Sequence, residues 1–232
     1  MKVTGLIGGM SWESSLEYYR IMNQLVRERL GGQHSARILM YSVDFHELEE
    51  YMCLNLWEEV TSVLSDAARR LERGGAQLLV ICTNTMHKVA PEVEKKVNIP
   101  LLHIADATGE DVVAQGLSVV GLLGTRYTME QNFLKNHLSS KYGLDVRVPG
   151  PDSREIVHSV IFEELCLGET RETSKAEFKH IIEEMAVQGA EGIILGCTEI
   201  PLLIQPTDVS IPLFDTTAIH ARKAVEWALK DA

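Results

Sequence analysis

Four short polar segments, each following an apolar run, carry the side chains best suited to chemistry. They are Gly-Gly-Met-Ser at 8–11, Thr-Asn-Thr at 83–85, Gly-Thr-Arg-Tyr-Thr at 124–128 and Cys-Thr-Glu at 197–199. The segments are rich in hydroxyl, amide and thiol groups, and the spacing of their residues matches neither a G-x-G-x-x-G dinucleotide motif nor a P-loop. Helix N-termini just after such segments offer backbone N–H groups to a carboxylate. The segments therefore favour a small carboxylate ligand over a nucleotide.

Among the four cysteines, Cys197 is the candidate base. It ends an apolar run and precedes Thr-Glu, where we expect partial exposure and a nearby helix N-terminus, both of which favour a thiolate. Cys82 is expected in the core, Cys166 in a helix as a packing residue, and Cys53 near a loop. No two cysteines form C-x-x-C, so no structural zinc or other metal site is expected.

Apolar runs alternate with helical periodicity along the chain, which predicts an α/β fold with parallel sheets. Strands are expected at 3–7, 38–43, 78–82, 99–102, 118–123, 144–148, 193–196 and 211–214. Helices are expected at 12–30, 57–71, 152–167, 174–188 and 218–229. The first helix is predicted from a Ser11 cap followed, at helical spacing, by Trp12, Leu16, Tyr19, Met22, Val26 and Leu30.

The second half of the chain repeats the first. Three matched pairs, 5–8 with 121–124, 75–83 with 189–197, and 99–102 with 211–214, recur in the same order at offsets of 116, 114 and 112. This predicts two similar α/β halves, a first domain of 1–106 plus 215–232 and a second of 107–214. Ligands bind beyond the carboxyl ends of parallel strands, so one site is expected where the halves face each other.

Histidines stand close to these strand ends, and each has two interpretations. His87 follows Thr-Asn-Thr-Met, while His103, Asp215 and His220 lie near the matched strands at 99–102 and 211–214. Each could orient a group in the site or form local hydrogen bonds only. The sequence leaves both interpretations open.

Composition excludes several classes of partner. Lys and Arg number 22 against 33 Asp and Glu, and the net charge of −11 argues against nucleic acid or an anionic membrane as the main partner. No apolar run reaches the ~18 residues of a membrane span. The N-terminus reaches glycines too soon for a secretory signal, so we expect a cytoplasmic protein with reduced thiols.

The segments Cys-Thr-Asn-Thr-Met-His-Lys at 82–88 and Leu-Gly-Cys-Thr-Glu-Ile-Pro at 195–201 resemble the paired signatures of the aspartate/glutamate racemase family. The loops at 8–11 and 123–129 are similar to its other site loops, so the resemblance spans nearly the whole chain. It implies two flavodoxin-like halves related by a pseudo-twofold axis, a site between them, a homodimer, and no pyridoxal phosphate, metal or nucleotide. It also implies two cysteines on opposite faces of the substrate α-carbon, one removing the α-proton and one returning a proton.

One catalytic position departs from the family pattern. Thr83 stands where the family has its first catalytic cysteine, and Cys82 is out of register with it. A hydroxyl is a far weaker acid than a thiol, so we expect Cys197 to be the only base, with Thr83 or its water returning a proton. The resemblance implies that the second-half cysteine, here Cys197, faces the α-hydrogen of the L-amino acid, and so implies a preference for the L-enantiomer. By family position the substrate-binding residues are Met10, Ser11, Asn84, Thr85, Thr125, Thr128, Thr198 and Glu199. For Glu199 three roles stay open: tuning the thiol, holding the substrate ammonium, or acting as a solvated or structural acid.

Three functions fit these residues. The first is a cofactor-independent racemase of aspartate or glutamate. The second is a single-cysteine decarboxylase or isomerase of the same superfamily. The third is a non-catalytic amino-acid-binding protein. Solvent deuterium separates them, because only the racemase exchanges the α-hydrogen of an acidic amino acid.

Overall fold

The computed structural model describes residues 1–230, and the chain forms two compact units. Unit 1 comprises Met1–Ile104 and the segment from His220 onward, and unit 2 comprises Ala105–Ile219. The chain therefore leaves unit 1, builds all of unit 2, and returns. Within residues 1–230, no helix is both long and apolar enough to cross a membrane.

Unit 1 is a four-stranded parallel sheet with helices. Its elements are β1 (Thr4–Gly8), α1 (Trp12–Leu30), β2 (Ile38–Ser42), α2 (Phe45–Cys53), α3 (Trp57–Arg73), β3 (Leu78–Ile81), α4 (Ala90–Glu94) and β4 (Leu101–Leu102). The strand order is β2-β1-β3-β4, with Thr4 in register with both Ile38 and Leu78. The central strands β1 and β3 are buried along their whole length, as expected where helices cover both faces of a parallel sheet.

Unit 2 repeats this order. Its elements are α5 (Ile104–Ala114), β5 (Val119–Gly124), α6 (Arg126–Glu130), α7 (Asn132–Tyr142), β6 (Asp145–Arg147), α8 (Pro151–Glu163), α9 (Glu172–Val187), β7 (Gly192–Gly196), α10 (Ile200–Leu203), β8 (Leu213–Asp215) and α11 (Thr216–Leu229). All pairs are parallel in the order β6-β5-β7-β8, and α5 and α11 each cross a unit boundary. The predicted α/β class with two similar parallel sheets is confirmed.

Each unit has its own core. In unit 1, Leu6 and Val80 pack with Ala221, Ala224 and Val225 of α11. In unit 2, Phe178, Ile181 and Met185 of α9 pack with Ile193 and Leu195. A glycine in β5 makes room for this contact, because a Cβ on Gly121 would lie 2.7 Å from the Met185 Cε.

The buried face of α1 differs from its apolar stripe. Ser11 caps the helix as predicted, but the buried residues are Ser14, Ser15, Tyr18, Met22 and Val26. Of the predicted periodic set, Trp12, Leu16, Tyr19 and Leu30 are exposed. The helix prediction is correct, and the stripe that supported it is largely a surface feature.

Two predicted strands are shorter than expected because each contains a proline. In 99–102 only Leu101–Leu102 form a strand, and the strand expected at 211–214 starts at Leu213 and ends at Asp215. Pro100 and Pro212 have no N–H to give, and their carbonyls instead accept from the backbone of Leu79 and Ile193 at 2.9 and 2.8 Å.

Helix limits also differ from the prediction. The helix expected at 152–167 ends at Glu163, and Leu165–Leu167 form a separate 3-10 turn. Six helices have no counterpart among the predicted ranges: α2, α4, α5, α6, α7 and α10. Gly109 interrupts the apolar periodicity of α5. The structure explains the glycine, because a Cβ at this position would lie 2.5 Å from the ring of Tyr142.

Candidate active site

All four polar segments follow the central strands of their sheets. In unit 1, residues 9–11 follow β1 and residues 82–85 follow β3, and these two strands are neighbours. In unit 2, Thr125 follows β5 and residues 197–199 follow β7, again on neighbouring strands. Because the strands are parallel, each unit brings its two segments to one edge of its sheet, the carboxyl edge at which ligands bind in such sheets.

Serine hydroxyls fix the loop after β1. Gly9 has a φ of 91°, and a Cβ there would collide with the Val43 carbonyl oxygen. The Gly9 N–H donates to Ser15 Oγ at 2.8 Å, and Ser15 Oγ donates to the Ser11 carbonyl at 3.0 Å. Ser11 Oγ accepts from the Ser14 N–H. These bonds set the backbone on either side of Met10, which is itself buried.

The same helix turn connects this loop to the one after β3. Ser14 Oγ donates to the Cys82 carbonyl oxygen at 2.7 Å. The Cys82 side chain is fully buried in the core with Leu6 and Val80, and burial raises the pKa of its thiol. The prediction that Cys82 is a core residue is confirmed.

His87 holds the backbone of Thr83. Its Nδ1 lies 2.8 Å from the Thr83 carbonyl oxygen, which can only accept, so Nδ1 carries the proton. Its Nε2 then accepts from the Ile104 N–H at 3.1 Å. The ring is 2% exposed, and these two bonds define its neutral tautomer. Thr83 itself is half-buried, whereas Asn84 and Thr85 beside it are buried.

His220 occupies the core of unit 1 as a neutral ring. Its Nε2 donates to the Leu102 carbonyl at 2.9 Å, so its Nδ1 accepts from the Tyr18 hydroxyl at 2.8 Å. Burial lowers the pKa of His220 to about 3. The His103 ring packs edge-on against His87 at 4.6 Å between centroids. His87 and His220 thus support the sheet edge through hydrogen bonds to backbone groups.

In unit 2 the segment after β5 forms a helix cap. Thr125 caps α6, and its Oγ1 lies 3.3 Å from Thr128 Oγ1. Thr128 is fully buried and Thr125 half-buried. A Cβ on Gly124 would lie 2.9 Å from the Gly196 carbonyl oxygen, so the two neighbouring strand ends approach closely here.

Cys197, Thr198 and Glu199 form a hydrogen-bonded group at the end of β7. Cys197 Sγ donates to Glu199 Oε2 at 2.9 Å, and Thr198 Oγ1 donates to the same oxygen at 2.6 Å. Cys197 is 9% exposed and Glu199 4%. The group places a thiol proton directly against a buried carboxylate.

The expectation of a resting thiolate at Cys197 is wrong. Burial raises the pKa of Cys197 well above its usual value, and the Glu199 carboxylate raises it further because it repels the negative sulfur. The sequence indicated partial exposure and a nearby helix N-terminus. The Cys197 side chain is instead buried, and the helix that begins at Ile200, α10, spans only four residues. The resting side chain is a thiol with an adjacent proton acceptor.

The remaining candidate residues from the sequence, Cys166, Cys53 and Asp215, lie in packing, surface and helix-capping positions. Cys166 lies in the 3-10 turn after α8 rather than in a helix, and packs half-buried against the unit 2 core. Cys53 is exposed at the end of α2. Asp215 Oδ1 accepts from the backbone N–H groups of Thr217 and Ala218 and so caps α11.

Three supporting residues were missed from the sequence: Ser14, Ser15 and Tyr18. These residues carry polar groups on the face of α1 that is buried. A search for apolar periodicity gives no weight to polar residues, so it does not detect them. Among residues 1–230, no cluster of three or more His, Cys, Asp or Glu is arranged to hold a metal ion.

Comparison with known proteins gives one consistent family. The family model described as Asp/Glu/Hydantoin racemase matches residues 7–224. A candidate Asp/Glu racemase from Yersinia pestis is 52% identical with a TM-score of 0.94, covering 99% of this chain and 100% of that one. An aspartate racemase homologue from Pyrococcus horikoshii OT3 is 38% identical with a TM-score of 0.87 and the same coverage.

A glutamate racemase from Stutzerimonas stutzeri is 31% identical over 161 residues. The match takes in 67% of this chain and 59% of that protein. The chain therefore matches little more than half the length of this relative.

Proposed function

Because the chain belongs to the Asp/Glu/Hydantoin racemase family, we propose that it is a cofactor-independent racemase of aspartate or glutamate that acts as a homodimer. The observation that carries the proposal is the hydrogen bond between Cys197 Sγ and Glu199 Oε2 at the carboxyl end of β7. It joins a thiol to a buried proton acceptor at the sheet edge where a ligand would bind. The substrate binds at the carboxyl edges of the parallel sheets, where each unit holds its two polar segments.

Removal of the α-proton starts with the thiol. Cys197 gives its proton to Glu199 Oε2, and the thiolate that results takes the α-proton of the L-amino acid. The electron pair of the broken C–H bond moves onto the substrate carboxylate, which then needs preorganised hydrogen-bond donors. Asn84, Thr85 and Thr125 supply these donors. The Thr198 hydroxyl donates to Glu199 instead, so its role is to hold that carboxylate in place.

Return of a proton to the other face falls to Thr83. His87 holds the backbone of Thr83 in place. The half-buried side chain of Thr83, or a water bound to it, donates the proton. A neutral hydroxyl is a poor base, so the reverse reaction from the D-amino acid is slow. Detailed balance then requires slow net turnover of the L-form as well, with rapid exchange of its α-hydrogen.

Exchange in deuterium oxide tests the proposal. Each enantiomer of aspartate and glutamate is incubated with the protein, and loss of the α-hydrogen signal is followed by proton NMR, with inversion followed by chiral chromatography. We expect rapid exchange of an L-form, loss of exchange in C197A, and its retention in C82A, the matched control.

Two outcomes would contradict the proposal. One is a folded protein that exchanges none of the four amino acids, as a binding protein would. The other is release of carbon dioxide from a malonate-type acid in place of exchange, as a decarboxylase would give.

A further inference from the structure

The exposed face of α1 combines large apolar side chains with grooves on both sides. Trp12 is 65% exposed, Leu16 and Tyr19 are each 51% exposed, and Met40 on the neighbouring edge strand β2 is 41% exposed. Large contiguous apolar patches are uncommon on monomeric proteins and mark interaction surfaces. We call these four residues the α1 patch.

Two grooves extend the α1 patch. A groove of about 350 Å³ between α1 and β2 is lined by Trp12, Leu16, Tyr19, Ile38 and Met40. A second groove, of about 500 Å³, also contacts Leu16 and Tyr19 and is lined further along α1 by polar side chains such as Asn23 and Arg27. The patch is therefore a ridge between two depressions, a shape that can interlock with another helix.

We propose that a second copy of this chain covers the α1 patch, through antiparallel packing of α1 against α1 about a twofold axis near Leu16. This inference rests on the homodimer proposed above and names its surface. A twofold interface requires one patch to be complementary to itself. Trp12 lies four residues before Leu16 and Tyr19 three residues after it, so the axis sets the Trp12 of one copy against the Tyr19 of the other.

Charge favours the same arrangement. One flank of the stripe carries Glu13 and Glu17 in its N-terminal part and Arg20 further along. A twofold axis across the helix brings this flank against the same flank of the copy running in the opposite direction, so Glu13 faces Arg20 across the interface. Arg20 already pairs with Glu17 of its own helix at 2.6 Å, which positions the guanidinium beside the stripe.

Other occupants fit less well. The net charge of −11 repels nucleic acid and anionic lipid surfaces, and the acidic side chains bordering the patch add to that repulsion. A second copy is the one partner whose complementarity can be read from the patch itself.

Molar mass in solution tests the inference. Light scattering after size exclusion of the full chain, without substrate, should give twice the 25.9 kDa chain mass. Leu16→Glu brings two carboxylates together at the axis and should raise the dissociation constant at least about 100-fold. Leu54→Glu is the matched control, since Leu54 is 69% exposed outside the patch, and should leave the mass unchanged.

Charge exchange gives an independent readout. E13R should weaken the dimer, and E13R combined with R20E should restore it, because the opposite charges face each other again. A dimer that survives Leu16→Glu, or that Leu54→Glu dissociates equally, would overturn the α1 surface while leaving the homodimer intact. A chain of 25.9 kDa at every concentration would overturn both. Neither result depends on racemase activity, which the exchange experiment measures separately.

Discussion

Replacing Glu199 by glutamine tests whether this carboxylate accepts the Cys197 proton. Glutamine keeps the shape of the side chain and removes its charge, while the structure places Oε2 2.9 Å from the sulfur and 2.6 Å from the Thr198 hydroxyl. Without the buried acceptor the thiol must release its proton elsewhere. We expect α-hydrogen exchange of the L-substrate at neutral pH to fall by about 10²- to 10⁴-fold, the usual contribution of a positioned base.

The same substitution should lower the pKa of Cys197. That pKa is raised by burial first and by Glu199 second, and glutamine removes only the second cause. Two unit charges about 4 Å apart interact by about 4 kcal/mol at an effective dielectric constant of 20. Removing this repulsion therefore lowers the pKa of Cys197, while burial still holds it above its usual value.

The two effects together predict a distinctive pH profile. The exchange rate of the unmodified protein should be independent of pH around neutrality, because the Cys197 proton passes to Glu199 and stays inside the site. Exchange by E199Q should rise about tenfold per pH unit until the thiolate has formed. Proton NMR in deuterium oxide measures the rate, and alkylation of Cys197 by iodoacetamide, followed by mass spectrometry, measures the pKa.

Glu199→Asp is the control that keeps the charge, and it should retain a level profile. The reasoning fails if E199Q exchanges within about threefold of the unmodified protein at neutral pH. It fails equally if the alkylation midpoint of Cys197 does not move to lower pH.

Three further predictions concern the other half of the site and the core. Thr83→Cys should raise D-substrate turnover about 100-fold or more by chiral chromatography while Thr83→Ser does not, and unchanged turnover in the cysteine variant refutes a one-base site. Cys82→Ala should cost about 1 kcal/mol and lower the Tm by roughly 2–4 °C without stopping exchange; lost exchange in a folded variant would mean that Cys82 is catalytic. Burial lowers the pKa of His220 to about 3, so on acidification below pH ~6.5 the unfolded chain binds a proton at this residue that the folded chain does not. The contribution of the neutral His220 ring to stability is therefore present above pH ~6.5 and is lost as the pH falls toward about 3. The free energy of unfolding in urea should therefore fall more steeply between pH 7 and 5 than in His220→Gln, by about 1.4 kcal/mol per unit below pH 6.5, and equal slopes would contradict the assignment.

The sheets and the position of the polar segments were readable from the sequence for a simple reason. Central strands of a parallel sheet are buried on both faces, so they appear as continuous apolar runs, and the polar residues that follow them must lie at the carboxyl edge. Cys197 and Thr83 were located in this way. The edge strands were harder, because Pro100 and Pro212 interrupt the ladder within runs that are otherwise apolar.

Side-chain partners could not be read in the same way. Apolar periodicity does not count hydrogen bonds, so it gave no weight to Ser14 and Ser15, whose hydroxyls are buried because they bind loop backbone. The position of Cys197 at the end of a strand likewise favoured a thiolate, because the sequence does not show where the side chain of a glutamate two residues away will point. Burial raises the pKa of Cys197, and the carboxylate turned toward the sulfur raises it further, which reverses the direction that the sequence indicated.

The return of the chain to unit 1 has a consequence for its synthesis on the ribosome. Leu6 and Val80 pack against Ala221, Ala224 and Val225, which emerge only after every residue of unit 2. At typical translation rates of about 5–20 residues per second, more than a hundred intervening residues delay that closure by roughly 5–20 s. The unit made second can therefore finish folding first, while the unit made first waits with part of its core uncovered and open to chaperones. Premature termination just after Ile219 would spare unit 2 and leave unit 1 prone to aggregation.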